Sequence, residues 1–256
     1  VQEDGWQNEA MLKHPTTLIA NWKMHGDAAS VRAFAFAINQ ALNQVPLSLT
    51  VVFCPPTPYL REVLAALPQN RRLGIGGQDC HAHPEGAYTG DVSALMLADC
   101  GAGVVILGHS ERRAVGEKDA HVAQKATAAI AAGLMPVVCV GESRAEYEAG
   151  HTATVLSAQL AGLRALAPGS YSIAYEPVWA IGSGKTPSMP EISAAHRHIK
   201  TVLGSDAAVL YGGSVNAPNI AEILALPEVA GALIGSASRT IESMLALIAA
   251  AVTKGK

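Results

Sequence analysis

The sequence predicts a single-domain α/β protein built as a closed (β/α)8 barrel. Three observations carry that expectation. Eight short apolar runs recur along the chain, each followed by a longer, mostly Ala-rich stretch. Several runs are continuous, as in Val104-Val105-Ile106-Leu107 and Pro136-Val137-Val138-Cys139-Val140, which suits parallel strands buried on both faces. Eight such units in about 246 residues from Met11 onward match the ~250 residues usual for this barrel. An open doubly wound sheet would alternate in the same way, and spacing alone does not separate the two.

The expected strands are Thr17–Ala20, Leu49–Phe53, Leu73–Gln78, Gly103–Leu107, Met135–Val140, Ser172–Tyr175, Val209–Gly212 and Gly231–Ile234. Helices are expected between them. Ala28–Asn43 begins after Asp27, a good N-cap, and Glu117–Ala132 ends at Gly133, a good C-cap. Pro190–Leu203 opens with a proline, tolerated in the first turn, and ends at Gly204. Gln78–Asp91 has too few strand or helix signals for its length, and loops this long are usually functional or interfacial.

Composition excludes several classes. Half of the 256 residues are hydrophobic and 15% are charged, which excludes a disordered chain. The net charge of -3 gives no basic surface for nucleic acid or an anionic membrane. The strongest apolar run, Met244–Val252, is shorter than the roughly 20 residues a membrane span needs. Residues 1–10 hold three acidic residues and no Lys or Arg, so they account for the whole net charge. They read as a disordered extension or a cloning remnant, with the barrel domain at 11–256. Cys54, Cys80, Cys100 and Cys139 lie far apart and read as reduced thiols, so the chain is expected to be soluble and cytoplasmic. Cys80-His81-Ala82-His83 matches no common zinc spacing, and no metal is expected.

In a (β/α)8 barrel, functional residues belong at the C-terminal ends of strands. Glu176 follows Ile173-Ala174-Tyr175, where a shielded carboxylate can serve as a general base; a structural ion pair would explain it equally. His109 ends an apolar strand, with a helix expected to start within Ser110–Arg113. The positive end of a helix disfavours imidazolium, and a neutral ring can still donate to a carbonyl oxygen. The competing reading is a satisfied core histidine. Lys23 offers a fixed cation to an anionic substrate or a developing enolate, unless it is an ordinary surface lysine. Asn21 points the same way if strand alternation persists to Lys23. Gly212-Gly213-Ser214 and Gly235-Ser236 end the seventh and eighth runs. Small residues there let backbone N–H groups approach a phosphate, or serve tight turns only.

Gly182-Ser183-Gly184-Lys185-Thr186 imitates the end of a P-loop, but Trp179 stands where that pattern needs glycine. Pro187 follows at once, so the segment reads as the tip of a lid with Pro177-Val178-Trp179 as its hinge.

From about Leu18 to Leu247 the chain resembles the triosephosphate isomerase family. The resemblance is carried by A-N-W-K-M at Ala20–Met24, G-A-Y-T-G-D at Gly86–Asp91, L-G-H-S-E-R-R at Leu107–Arg113 and V-V-C-V-G-E at Val137–Glu142. It continues with A-Y-E-P-V-W-A-I-G-S-G-K at Ala174–Lys185, Y-G-G-S-V at Tyr211–Val215 and G-A-L-I-G-S-A-S at Gly231–Ser238. The resemblance implies interconversion of dihydroxyacetone phosphate and glyceraldehyde 3-phosphate, in glycolysis and gluconeogenesis, with no cofactor. It implies Glu176 as the base, with His109 and Lys23 stabilising the enediolate and Asn21 positioning substrate. Glu111 would support Lys23 and His109, and Cys139 would pack near Glu176. Backbone at Gly182, Ser214, Gly235 and Ser236 would hold the phosphate, under a lid of Pro177–Lys185. Tyr88-Thr89 resembles a tip that enters a partner subunit, so a homodimer is implied. Ser236 departs from the family's usual second glycine, at a cost if the position needs positive φ. Ser183 replaces a common threonine, and the Gly116-Glu117 region is one residue short. Three other functions compete. One is a different phosphosugar barrel enzyme, which would lack the Lys23, His109 and Glu176 set. The others are a catalytically silent barrel and the P-loop nucleotidase.

Overall fold

The computed structural model describes residues 16–181 and 186–252. The expected extension at residues 1–10 lies outside them. The strands are β1 Thr16–Asn21, β2 Leu49–Cys54, β3 Leu73–Gly77, β4 Val104–Leu107, β5 Met135–Val140, β6 Ser172–Tyr175, β7 Val209–Tyr211 and β8 Gly231–Ile234. Each pairs in parallel with its sequence neighbour. β8 returns to pair with β1, from Thr17↔Gly231 to Ala20↔Ile234. That pairing closes the sheet and excludes the open alternative. Gly231 makes it possible, since a Cβ there would fall 1.9 Å from the Thr17 carbonyl oxygen.

Alternate residues of the strands face two cores. Ile19, Val52, Ile106, Val137, Ala174, Leu210 and Leu233 fill the barrel, while Leu18, Val51, Val105, Val138, Ile173 and Ile234 pack against the helices. Both faces are dry, which is why the strands read as continuous apolar runs. Trp22, Phe34 and Phe53 form a ring cluster with centroids 4.6 to 4.9 Å apart. Such pairs contribute roughly 0.5–1.5 kcal/mol each beyond area burial, so the cluster pins the end of β1 firmly.

The helices are α1 Ala28–Leu42, α2 Leu60–Ala65, α3 Ala94–Asp99, α4 Ser110–Ala114 and α5 Asp119–Ala131. They continue with α6 Arg144–Glu148, α7 Thr152–Leu160, α8 Met189–Leu203, α9 Ala217–Ala225 and α10 Ile241–Val252. Asp27 caps α1 as expected, accepting from the Ser30 N–H. At α8 the cap is Ser188, in a reciprocal box with Glu191. α5 starts two residues later than expected, because Lys118 takes an extended backbone conformation as its N-cap and leaves Glu117 before the helix. Between Gln78 and Asp91 the chain forms tight turns and no strand or helix, held by a bridge between His81 and Ser93. No described helix is long and apolar enough to cross a membrane.

Candidate active site

Inward positions of β6 are set by Ala174, and two residues on is Glu176, beyond the last strand residue. Its N–H donates to the Val140 carbonyl at 2.7 Å. Two glycines leave it room. A Cβ on Gly141 would lie 1.7 Å from the Glu176 carbonyl oxygen, and one on Gly212 would lie 2.8 Å from Glu176 Cγ. The carboxylate is buried. Oε2 accepts from the Ser110 N–H at 3.0 Å, and Oε1 lies 3.2 Å from His109 Nε2. The ion-pair alternative for Glu176 thus finds no Lys or Arg partner among the described residues; its neighbour is an imidazole.

His109 would face the outer core if β4 alternated to its end, since Leu107 does. Gly108 changes that. Its φ of +65° is a left-handed conformation that favours glycine, and the turn re-aims His109 into the barrel mouth. The ring is the N-cap of α4 and accepts the Glu111 N–H at Nδ1, 3.1 Å away. An accepting Nδ1 leaves the single proton of a neutral ring on Nε2, which faces Glu176. His109 is therefore buried and satisfied, and also presents a donor.

Asn21 and Lys23 share the mouth, both at the inward parity of Ile19, with β1 ending at Asn21. Lys23 has φ +54°, the one non-glycine residue with positive φ among those described. Its N–H donates to Asn21 Oδ1 at 3.1 Å and its carbonyl accepts from Gln78 Nε2 at 2.8 Å. Nζ reaches Glu111 Oε1 at 2.7 Å. Burial pushes the Glu111 carboxyl up, but the hydrogen bond and charge of Lys23, helped by His109 and His25, hold it below its ordinary value. Cys139 is fully buried inside the barrel. Burial first and the Glu176 charge second raise its thiol well above the ordinary value, so it packs as a neutral group.

Across the mouth lie the two small-residue loops. Ser214 Oγ donates to the Ala180 carbonyl at 2.8 Å. Gly235 precedes a 3-10 turn, Ser236–Ser238. Ser236 does not need positive φ, so serine carries no conformational penalty there. Trp22 Nε1 donates to the Ser238 carbonyl at 2.9 Å, tying this turn to the end of β1. Asn21, Lys23, His109, Glu176, Ser214, Gly235 and Ser236 all line one cavity of about 570 Å³. Gly182 lies outside the described residues, as do Ser183, Gly184 and Lys185. Neither β6 nor α8 abuts that glycine-rich stretch, so the strand–loop–helix frame of a P-loop is missing. After Glu176 comes a 3-10 turn, Val178–Ala180, held where Trp179 Nε1 donates to Glu142 Oε1 at 2.9 Å.

Some supporting residues were not singled out from sequence. Gln78, the last residue of the third apolar run, also donates to the Cys54 carbonyl at 2.9 Å. Ser110 acts through its backbone, which no side-chain pattern reports. Lys125 pairs with Asp79 at 2.8 Å and with Glu117, joining loop and helix beneath His109. Tyr88 packs on His81, ring centroids 4.0 Å apart, and stacks on His83. Burial, then the Asp79 charge, pushes the Cys80 thiol up to about 12.

A (β/α)8 barrel with a carboxylate, an imidazole and an ammonium facing two glycine-serine loops belongs to a definite class. It is an enzyme fit for proton transfer on a small anionic substrate. A model of the triosephosphate isomerase family matches residues 16–251. The triosephosphate isomerase of Acidiphilium cryptum (strain JF-5) is 45% identical over 256 residues, covering 93% of this chain and 98% of that protein. Those of Ruegeria pomeroyi and Caulobacter vibrioides are 46% and 45% identical, over 90% and 92% of this chain and 94% and 97% of their own lengths. The chain belongs to the triosephosphate isomerase family.

Proposed function

We propose that this chain carries out its family's reaction, the interconversion of dihydroxyacetone phosphate and D-glyceraldehyde 3-phosphate, with Glu176 as the base. The observation that carries the reading is the Glu176 carboxylate beside His109 Nε2, 3.2 Å apart, on the wall of the cavity that Lys23 and the glycine-serine loops complete. Glu176 removes a proton from the carbon beside the carbonyl. His109, donating from Nε2, and the Lys23 ammonium stabilise the oxygen that becomes an enediolate. The hydroxyl proton passes from one substrate oxygen to the other through His109 Nε2, and the protonated Glu176 returns its proton to the neighbouring carbon. Both carbons belong to one molecule, so one is oxidised as the other is reduced and no outside oxidant is needed.

Glu176 must leave the Ser110 N–H to reach a substrate carbon. Its backbone stays fixed by Val140 while the side-chain torsions turn, and the missing Cβ at Gly212 gives the space. Asn21 positions substrate beside Lys23, Glu111 steadies Lys23, and Cys139 packs below Glu176. Backbone N–H groups of Gly182, Ser214, Gly235 and Ser236 hold the phosphate. Pro177–Lys185 serves as the lid; supporting this, its first residues are tied to Glu142 and Ser214. Excluding water there would strengthen the site's electrostatics.

The reading includes a homodimer built on the Tyr88-Thr89 tip. Support comes from a second cavity of about 440 Å³, lined by Lys23, Thr57, Gln78, His109 and Glu111, in which such a tip would be seated. A cytoplasmic location fits the four free thiols. The test is a coupled assay for glyceraldehyde 3-phosphate isomerisation beside Glu176→Gln. Removing the base is expected to cut kcat by on the order of 10²–10⁴-fold in a folded variant. A folded parent without turnover, or a variant with near-parental turnover, overturns the reading.

A further inference from the structure

We propose that Arg239, clasped to His25, is a specificity-determining residue that supplies the cationic side of the phosphate subsite. This rests on the proposed seat of the substrate phosphate at Gly235 and Ser236. A phosphate monoester carries about -1.5 to -2 charge at pH 7. The groups proposed to hold it are backbone N–H dipoles, with no side-chain cation among them. Lys23 is matched to Glu111 at 2.7 Å, and Glu176 adds a carboxylate to the same cavity. A dianion entering that cavity gains from a second positive charge on the side away from Glu111.

Arg239 supplies that charge. It lines the cavity, and among the described residues its side chain contacts no carboxylate. Nε lies 3.4 Å from the Ser236 carbonyl oxygen, and an Nη1 hydrogen bond of 3.1 Å runs to His25 Nε2. A guanidinium can only donate, so His25 Nε2 accepts in this contact. His25 thus orients the guanidinium and is not a carboxylate that would offset its charge. The Arg239 N–H also closes the 3-10 turn onto the Ser236 carbonyl at 3.3 Å. Ser238 Oγ donates to the Gly235 carbonyl at 2.8 Å. Side chain and phosphate loop are therefore joined, with the cation at the exposed rim.

An exposed cation acts through a screened field, and that gives the proposal its signature. Steady-state kinetics and inhibition by inorganic phosphate would be measured at low salt and near physiological ionic strength. Arg239→Leu, Arg239→Lys and Ser236→Pro would be compared with the parent. Arg239→Leu is expected to raise KM and the phosphate inhibition constant roughly three- to tenfold, with a far smaller change in kcat, and to flatten the salt dependence of kcat/KM. Arg239→Lys is expected to restore that salt dependence. Ser236→Pro removes one N–H at a position that opens a turn, and tests the seat itself. If it weakens phosphate inhibition while Arg239→Leu changes neither inhibition nor salt dependence, the role of Arg239 is overturned and the seat stands. If a folded Ser236→Pro binds phosphate as the parent does, the seat is overturned and the proposal falls with it.

Discussion

A methyl group on Gly212 would lie 2.8 Å from Glu176 Cγ and 3.2 Å from the Tyr175 carbonyl oxygen. The Glu176 side chain is the softer neighbour, so it would move. A displacement of ~1 Å at a reacting group can cost on the order of 10²-fold. Gly212→Ala is therefore expected to lower kcat by about that factor while the barrel still melts cooperatively. Parental kcat in the variant would show that Glu176 does not depend on that space. At this scale sequence was informative about which residues matter and silent about how they are aimed. Glu176 keeps the inward parity of Ala174, so its placement was legible. Asn21 and Lys23 keep the inward parity of Ile19, whereas His109 reaches the mouth only because Gly108 takes φ +65°. No hydropathy pattern encodes that turn.

Helix α8 carries a buried charge problem that only tertiary packing creates. His196 is fully buried, edge-on to the Tyr175 ring at 5.8 Å and near Tyr211 at 6.5 Å. Burial lowers its pKa from 6.5 to about 4, with Lys200 adding to the fall and Glu228 opposing it. The folded state thus resists a proton that the unfolded chain accepts. Stability is full above pH 6.5, falls as pH drops from 6.5 toward 4, and the loss approaches roughly 3 kcal/mol. Urea unfolding at pH 7 and pH 4.5 would measure it, and His196→Gln is expected to lose clearly less stability over that interval than the parent. Equal losses would place the acid sensitivity elsewhere. As an element, α8 was legible from Pro190 and Gly204; its buried histidine looked like any polar residue. Strands read best, because dry faces leave unbroken apolar runs, whereas Glu117 was misplaced because the extended N-cap Lys118 starts the helix after it. Residues 182–185 and the first ten residues offered readings that fall outside the described structure.

At the scale of the whole molecule, the open question is whether one barrel suffices. Thr89 sits at an exposed tip beside Tyr88, which is 41% exposed although its ring rests on His81 and His83. Met24, 93% exposed, borders the cavity that also holds Lys23 and His109. If the tip enters that cavity on a second copy, and the reverse, the contact is self-complementary, which is what a two-fold dimer requires. Because that cavity is lined by Lys23 and His109, the side chains proposed to stabilise the enediolate, an inserted tip would press on the loops that carry them. Assembly and turnover should then be linked. Sedimentation is expected to give twice the chain mass for the parent, and specific activity is expected to fall on dilution as dimers separate. Thr89→Arg adds a large cation at the tip and is expected to shift the mass toward the monomer and reduce kcat together. A parent that sediments as a monomer with full turnover would overturn the dimer. A monomeric Thr89→Arg with parental kcat would keep the dimer and break the link, leaving each barrel mouth complete on its own.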